Sequence, residues 1–243
     1  MTVPLLPEGS VLRAAEEAEP VMLEELSPAG GLLLVIPHPD DETLGCGMAL
    51  AAAAAAGRNI TVVLTTDGEG SHPNSPSVGA AELKALRARE LDAALAELLV
   101  GRPVQVWRLG LPDGRSKVAQ LAPERLQQLA ELARTAAVSI IWTTWRHDPH
   151  CDHETASKIG QMLSEQLDLS RWEFIVWGRF GERRVPAGLR RYSAPEHLLT
   201  KHRALQQHRS QFTRLISDDP TAFLMPPALL QHFREAPELF LRG

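Results

Sequence analysis

Gly31-Leu32-Leu33-Leu34-Val35-Ile36-Pro37-His38-Pro39-Asp40-Asp41-Glu42-Thr43 falls into an apolar half and a polar half. Leu32 to Ile36 show no alternation, so a strand there has both faces covered, as in a parallel sheet flanked by helices. Open sheets of that kind bind ligands beyond the carboxyl ends of their strands. The polar half, an imidazole followed by carboxylates, stands at that position.

Outward from this stretch, strands and helices alternate. Met48 to Ala56 is an almost pure alanine run closed by Gly57, which predicts a helix with a glycine stop and close packing on a sheet. Ile60 to Thr65 predicts a second strand, and Leu83, Leu86, Leu91, Ala94, Leu95 and Leu98 recur at helical spacing. Val104 to Leu109 predicts a third strand. Pro123-Glu124 then opens a helix with Leu126, Leu129, Ala130, Ala133 and Ala137 on one stripe, and Ser139 to Thr144 predicts a fourth strand. Ala156, Ile159, Met162, Leu163 and Leu167 mark a helix before a fifth strand, Trp172 to Trp177. The expected fold is α/β, a three-layer αβα Rossmann-like architecture with a mainly parallel sheet. Beyond Gly178 the pattern weakens, leaving one helix from about Glu196 to Arg209. A single domain over residues 1–243 is expected, with residues 1–30 as an N-terminal extension and residues 178–243 as a C-terminal segment on the substrate side.

The chain has 243 residues, of which 44% are hydrophobic and 23% charged, an ordinary globular mixture. Its formal net charge of −5 supplies no basic field for a nucleic-acid partner. No apolar run approaches the ~20 residues of a membrane-spanning helix. Met1 to Glu16 lacks a signal-peptide pattern, so a cytoplasmic location is expected. Cys46 and Cys151 are expected to be free thiols in that reducing setting. The sequence does not disclose an oligomeric state.

Two strand ends gather ligand-type side chains. The first carries His38, Asp40 and Asp41; the fourth runs into His147-Asp148-Pro149-His150-Cys151-Asp152-His153. A dinucleotide-binding protein would have a glycine-rich phosphate turn after the first strand, and the aspartates found there would repel a pyrophosphate while attracting a cation. Gly-x-Ser-x-Gly, the serine-hydrolase elbow, is also missing. His38, Asp41 and His153 would supply three ligands of a catalytic zinc site with a fourth position left for water. The same two-histidine, one-carboxylate set suits Fe2+. The plainer reading makes Asp40, Asp41 and Thr43 an N-cap of the alanine helix, and Asp152 with His153 the start of another. Coincidence of both clusters at strand ends favours a metal.

Pro37-His38-Pro39-Asp40-Asp41-Glu42 and His150-Cys151-Asp152-His153 resemble the two signatures of the PIG-L/LmbE family of N-acetylglucosaminyl deacetylases. Thr66-Asp67-Gly68-Glu69-Gly70, Arg87-x-x-Glu90, Leu109 to Gly114, and Lys201-x-x-Ala204-Leu205-x-x-His208-x-Ser210-Gln211 are similar to family features, so the resemblance runs from about Gly31 to Phe212. It implies metal ligation by His38, Asp41 and His153, a general base at Asp40, and polarisation of the substrate carbonyl by His150. Cys151 replaces the commoner proline. The implied activity is zinc-dependent removal of an N-acetyl group from a small aminosugar conjugate, a hydrolysis of a linear amide that releases acetate.

Other residues carry smaller expectations. Arg87 and Glu90 read first as a charged helix face and second as contacts to substrate or motif loops. Asp113 is most simply part of a turn, His72 lies in a loop placed to cover the site, and Asp148 and Asp152 could orient ligands. Nine lysines and arginines between Arg179 and Arg214 are either solvated surface or a grip on a phosphorylated conjugate. The competing functions are an amidase acting on another amide, such as a thiol conjugate, and a non-catalytic sugar- or nucleotide-binding module.

Overall fold

The computed structural model describes residues 4–243, so the first three residues of the expected N-terminal extension lie outside the described part. Eight strands occur among the described residues: β1 (Glu19–Pro20), β2 (Gly31–Ile36), β3 (Asn59–Thr66), β4 (Gln105–Leu111), β5 (Val138–Thr144), β6 (Arg171–Phe174), β7 (Arg190–Tyr192) and β8 (Glu238–Arg242). They form one sheet in the order β1-β7-β8-β6-β5-β2-β3-β4. β8 runs antiparallel to β6 and β7, whereas all other neighbours are parallel. The helices are α1 (Ser10–Glu17), α2 (Leu23–Leu26), α3 (Asp41–Ala55), α4 (Ala80–Leu98), α5 (Pro123–Thr135), α6 (Cys151–Leu167), α7 (Leu198–Gln207), α8 (Arg209–Phe212) and α9 (Pro227–Glu235). No helix among the described residues is long and apolar enough to cross a membrane.

The uninterrupted apolar run of β2 serves both faces of the sheet. Leu32, Leu34 and Ile36 enter a core shared with α3, α4 and α7, while Leu33 and Val35 enter a second core shared with α5 and α6. The chain leaves β2 toward β3 through α3, whereas β5 lies on the opposite side of β2. Adjacent strand ends whose connections diverge open a crevice. Residues 37–41 and 145–153 both emerge there.

Several expected boundaries move. α3 begins at Asp41, before the alanine run, and is broken at Cys46, whose φ of −147° is not helical. Gly45 and Gly47 flank the break because neighbours leave no room: a Cβ on Gly45 would stand 2.3 Å from the Phe174 ring. The expected fifth strand ends at Phe174, and Trp177–Arg179 form a 3-10 turn instead. β1, β7 and β8 lie where the sequence shows no usable periodicity. The N-terminal segment belongs to the sheet through β1 and to a third core through Val11, which packs with Trp145, Ile175, Leu189 and Leu239.

Candidate metal and catalytic site

The turn after β2 is tied down before it carries chemistry. The backbone N–H and the hydroxyl of Thr66, at the end of β3, both donate to the Pro37 carbonyl at 3.0 Å. Asp40 then takes φ 147°, a region costly for any residue with a side chain. Its N–H donates to Glu42 Oε2 at 3.0 Å, and its carbonyl accepts from Thr43 and Leu44 at the start of α3. Asp41 thus opens the helix with its carboxylate turned toward His38 and His153.

His38, Asp41 and His153 converge. Asp41 Oδ2 lies 3.1 Å from His38 Nδ1 and 3.4 Å from His153 Nε2. The far nitrogen of each ring is occupied. His38 Nε2 faces Asp152 Oδ2 at 2.9 Å and Asp113 Oδ1 at 3.1 Å, and His153 Nδ1 faces Asp148 Oδ2 at 2.8 Å. A carboxylate can only accept, so these contacts put the ring protons on His38 Nε2 and His153 Nδ1. His38 Nδ1 and His153 Nε2 face the Asp41 oxygen, and His153 Nε2 is buried without a hydrogen-bond partner among the described residues. With both rings neutral, as metal binding requires, the two nitrogens and the Asp41 oxygen would present their lone pairs to a single cation. Donors of a tetrahedral shell with ligand bonds of about 2.0–2.1 Å sit about 3.3–3.4 Å apart, close to the 3.1 and 3.4 Å that separate Asp41 Oδ2 from the two rings. The donor set therefore fits a divalent metal.

His150 lies beside this group, its ring centroid 4.9 Å from that of His38 and 5.3 Å from that of His153. One ring nitrogen from each of the three histidines lies within 4.8 Å of the others. His150 Nδ1 accepts the Asp152 N–H at 3.2 Å, which leaves the proton on Nε2. Burial, joined by the other two imidazoles, pushes the His150 pKa down to about 4. At neutral pH the ring is thus a neutral hydrogen-bond donor.

Asp40 is 6% exposed and lines a cavity of about 360 Å³ together with His38, Asp41, Asp113 and His150. Burial, with the adjacent Asp41 charge, lifts its pKa to about 7 against the pull of Arg87. Arg87 donates to Gly68 O at 2.9 Å, Pro39 O at 2.8 Å and Asp40 Oδ2 at 3.3 Å. Gly68 has φ +73°, and a Cβ there would stand 2.3 Å from the Arg87 guanidinium. The expected solvated helix face is therefore corrected: Arg87 and Glu90 are buried, because α4 packs over the motif turn. Glu90 accepts the N–H and hydroxyl of Ser210 at 2.8 and 2.6 Å, which anchors the chain after α7 and not the motif turn.

Asp113 does more than turn the chain. It accepts the Gly70 N–H at 2.7 Å while facing His38. Asp152 is fully buried and accepts from Gly114 N at 2.7 Å and Ser116 N at 2.9 Å, so the turn after β4 orients the carboxylate that orients His38. Against the cost of burial, the His38 hydrogen bond holds Asp152 well below the usual carboxylate range. Asp148 accepts the N–H groups of Val176, Trp177 and Gly178 while fixing His153. His72 is buried but does not line the cavity, whereas its neighbours Ser71 and Pro73 do.

The sequence offered no role for Glu42, His208, Trp177 or Phe223. Glu42 meets His208 Nε2 at 2.8 Å in a fully buried pair beneath the motif turn. Trp177, Gln211 and Phe223 close the cavity from the C-terminal side. The Lys201-to-Gln211 pattern was a usable signal for His208 and Gln211. A lone phenylalanine in an aperiodic loop offers none.

Residues 33–163 match the family model described as GlcNAc-PI de-N-acetylase, PIG-L. With more than half of its length matched, the chain belongs to the PIG-L family. It is 45% identical over 196 residues to 1D-myo-inositol 2-acetamido-2-deoxy-alpha-D-glucopyranoside deacetylase of Nocardioides sp. (strain ATCC BAA-499 / JS614), covering 65% of each chain. A Catenulispora acidiphila protein named 1D-myo-inositol 2-acetamido-2-deoxy-alpha-D-glucopyranoside deacetylase 2 is 45% identical over 83 residues, 32% of this chain and 27% of that relative. The chain thus spans less than two thirds of either relative. The solved structure of N,N'-diacetylchitobiose deacetylase from Pyrococcus horikoshii superposes with a TM-score of 0.65 at 19% identity, covering 89% of this chain and 84% of the other, a likeness of fold.

Proposed function

We propose that this protein is a metal-dependent hydrolase that removes the N-acetyl group from an N-acetylglucosamine-type conjugate and releases acetate. One observation carries the reading: His38 Nδ1 and His153 Nε2 converge on Asp41 Oδ2 beside a cavity that also exposes Asp40 and His150. Family membership and the names of the relatives support the substrate class. Zinc is the proposed ion, with Fe2+ compatible with the same donors. When bound, such an ion would supply Lewis acidity at the amide carbonyl and lower the pKa of water from about 15.7 toward 7.

The chain's own residues would do the rest. Asp40, a carboxyl poised near neutrality and directed into the cavity, would take the proton of the attacking water and return it to the departing amine. His150, with its proton on Nε2, would donate a hydrogen bond to the oxygen that gains charge, an effect of about 10²- to 10³-fold for one donor. Arg87 would hold Asp40 in place, and Asp113, Asp148 and Asp152 would fix the rings of the two histidine ligands.

Elemental analysis with turnover on N-acetylglucosaminyl conjugates tests this. His153→Ala is expected to lose metal and activity together. Asp40→Asn and His150→Ala are expected to keep metal and lose at least about 10²-fold in turnover. Loss of metal from His150→Ala would make that histidine a ligand instead, and full metal occupancy in His153→Ala would overturn the site.

A further inference from the structure

We propose that Glu42 and His208 are positioning residues for the reaction: joined in one buried couple, they hold the Asp40 backbone in its strained conformation and so keep its carboxyl aimed into the cavity. This rests on the role given to Asp40 above and adds what keeps that residue in place.

A φ of 147° at a residue with a side chain persists only where its surroundings over-determine it. The Asp40 carbonyl is held by the start of α3 and the carboxyl by Arg87. Its N–H has one acceptor among the described residues, Glu42 Oε2, at 3.0 Å. Whatever fixes Glu42 therefore bears on the turn. The other oxygen, Oε1, accepts the Thr43 hydroxyl at 2.5 Å and faces His208 Nε2 at 2.8 Å. Thr43 is a chain neighbour, whereas His208 lies 166 residues away in sequence. Among the described residues no lysine or arginine pairs with Glu42, so the imidazole is the long-range donor to a carboxylate with no exposed surface.

The imidazole is itself placed for this contact. His208 stands at the joint of α7 and α8, with φ −78° and ψ 55°, and both sides of the joint are anchored: Lys201 of α7 pairs with Glu238, and Ser210 is held by Glu90 of α4. Phe212 meets the ring edge to face, with centroids 5.8 Å apart. His208 Nδ1 is buried with no hydrogen-bond partner among the described residues. An orphaned buried nitrogen costs free energy that an apolar side chain of similar shape would not. What distinguishes histidine here is the proton that Nε2 gives to Glu42, since a carboxylate can only accept.

Neither side chain lines the cavity, so both act through the Asp40 N–H. Asp41 has an anchor of its own, the His38 N–H at 3.1 Å, and the metal donors do not depend on the couple. Loosening Glu42 should therefore misplace the base, whose proton transfer needs hydrogen-bond reach, and leave metal and substrate binding in place.

Hydrogen exchange by NMR, metal analysis and steady-state kinetics on the metal-loaded full chain test the proposal. In His208→Phe, which keeps a ring without the donor, the Asp40 amide is expected to lose at least about tenfold of its protection while the amides of β2 keep theirs. With an N-acetylglucosaminyl conjugate, kcat should fall at least about tenfold, with KM within about twofold and metal content unchanged. His208→Gln, which still offers Glu42 an N–H, should recover most of both losses. In an Asp40→Asn background His208→Phe should cost nothing further in kcat, because the couple acts through that carboxyl. Glu42→Gln, which turns an amide NH2 against one of its N–H partners, should show the same pattern and is decisive where His208→Phe does not fold. Unchanged Asp40 protection, a loss of protection shared equally by β2, or an additive loss in the double variant overturns the brace. Loss of Asp40 protection in a protein whose wild type hydrolyses no amide would leave the brace standing and overturn the hydrolase reading instead.

Discussion

Asp40 shows how the site trades stability for chemistry. Its φ of 147° costs on the order of 1–3 kcal/mol for a residue with a side chain, and its carboxyl is buried beside a second one. Glycine adopts that backbone freely and removes the buried charge. Asp40→Gly and Asp40→Ala both leave the buried Arg87 without its carboxylate partner, so the glycine variant is expected to be more stable than the alanine variant by about 1–2 kcal/mol in urea while both abolish turnover. A glycine variant no more stable than the alanine variant would show that the turn is held without strain. The motif residues were readable because ligand chemistry demands particular side chains in consecutive positions. Asp148 and Asp152 were harder to read, since a carboxylate that orients an imidazole looks in sequence like any helix N-terminus. Arg87 looked solvated because its partners are backbone carbonyls, which leave no trace in composition.

At the scale of elements, the break in α3 has its own support. Glu238, on β8, accepts the N–H groups of Met48 and Ala49 at 2.6 and 2.9 Å, and Lys201, on α7, donates to Leu44 O at 3.4 Å and pairs with Glu238 at 2.8 Å. The interrupted helix thus has its orphan groups capped by a fully buried ion pair, which sets the Asp41-to-Gly45 turn apart from the alanine run. Removing one charge from such a pair costs about 3–5 kcal/mol. Glu238→Gln should lose roughly that much stability, and adding Lys201→Met should recover part of it; additive losses would refute the coupling. On α9, burial and the charges of Arg179 and Lys201 push His232 down to about 3. The unfolded chain binds its proton below about 6.5 and the folded chain only near 3, so this residue withdraws stability as pH falls through that window. Denaturant melts at pH 7 and pH 4 should show a smaller acid loss for His232→Gln than for wild type. Strand-helix alternation made β2 to β6 legible, whereas β7 and β8 are short, antiparallel-paired pieces at the far side of the sheet, and nothing in their periodicity separates them from loop.

For the whole molecule, the segment expected as an extension is part of the body. Val11 is fully buried against Trp145 and Leu239, and β1 extends the sheet beside β7. Val11→Ala should cost ~2 kcal/mol, and a change within 0.5 kcal/mol would mean that α1 is only laid on the surface. The molecule is also divided by role. The proposed ligands, base and oxyanion donor all fall within residues 33–163, while Trp177, Gln211 and Phe223, which close the cavity, come from the chain after β6. The loop after β3 clasps that later segment through Asn74 with Asp219, Ser75 with Asp218, and the Phe223 N–H with Ser71 O. The clasp therefore behaves as an interchangeable cap: exchanging residues 70–78 and 211–225 together for those of a relative would transplant selectivity intact, whereas exchanging either stretch alone would leave a mismatched seam above an unaltered reactive floor.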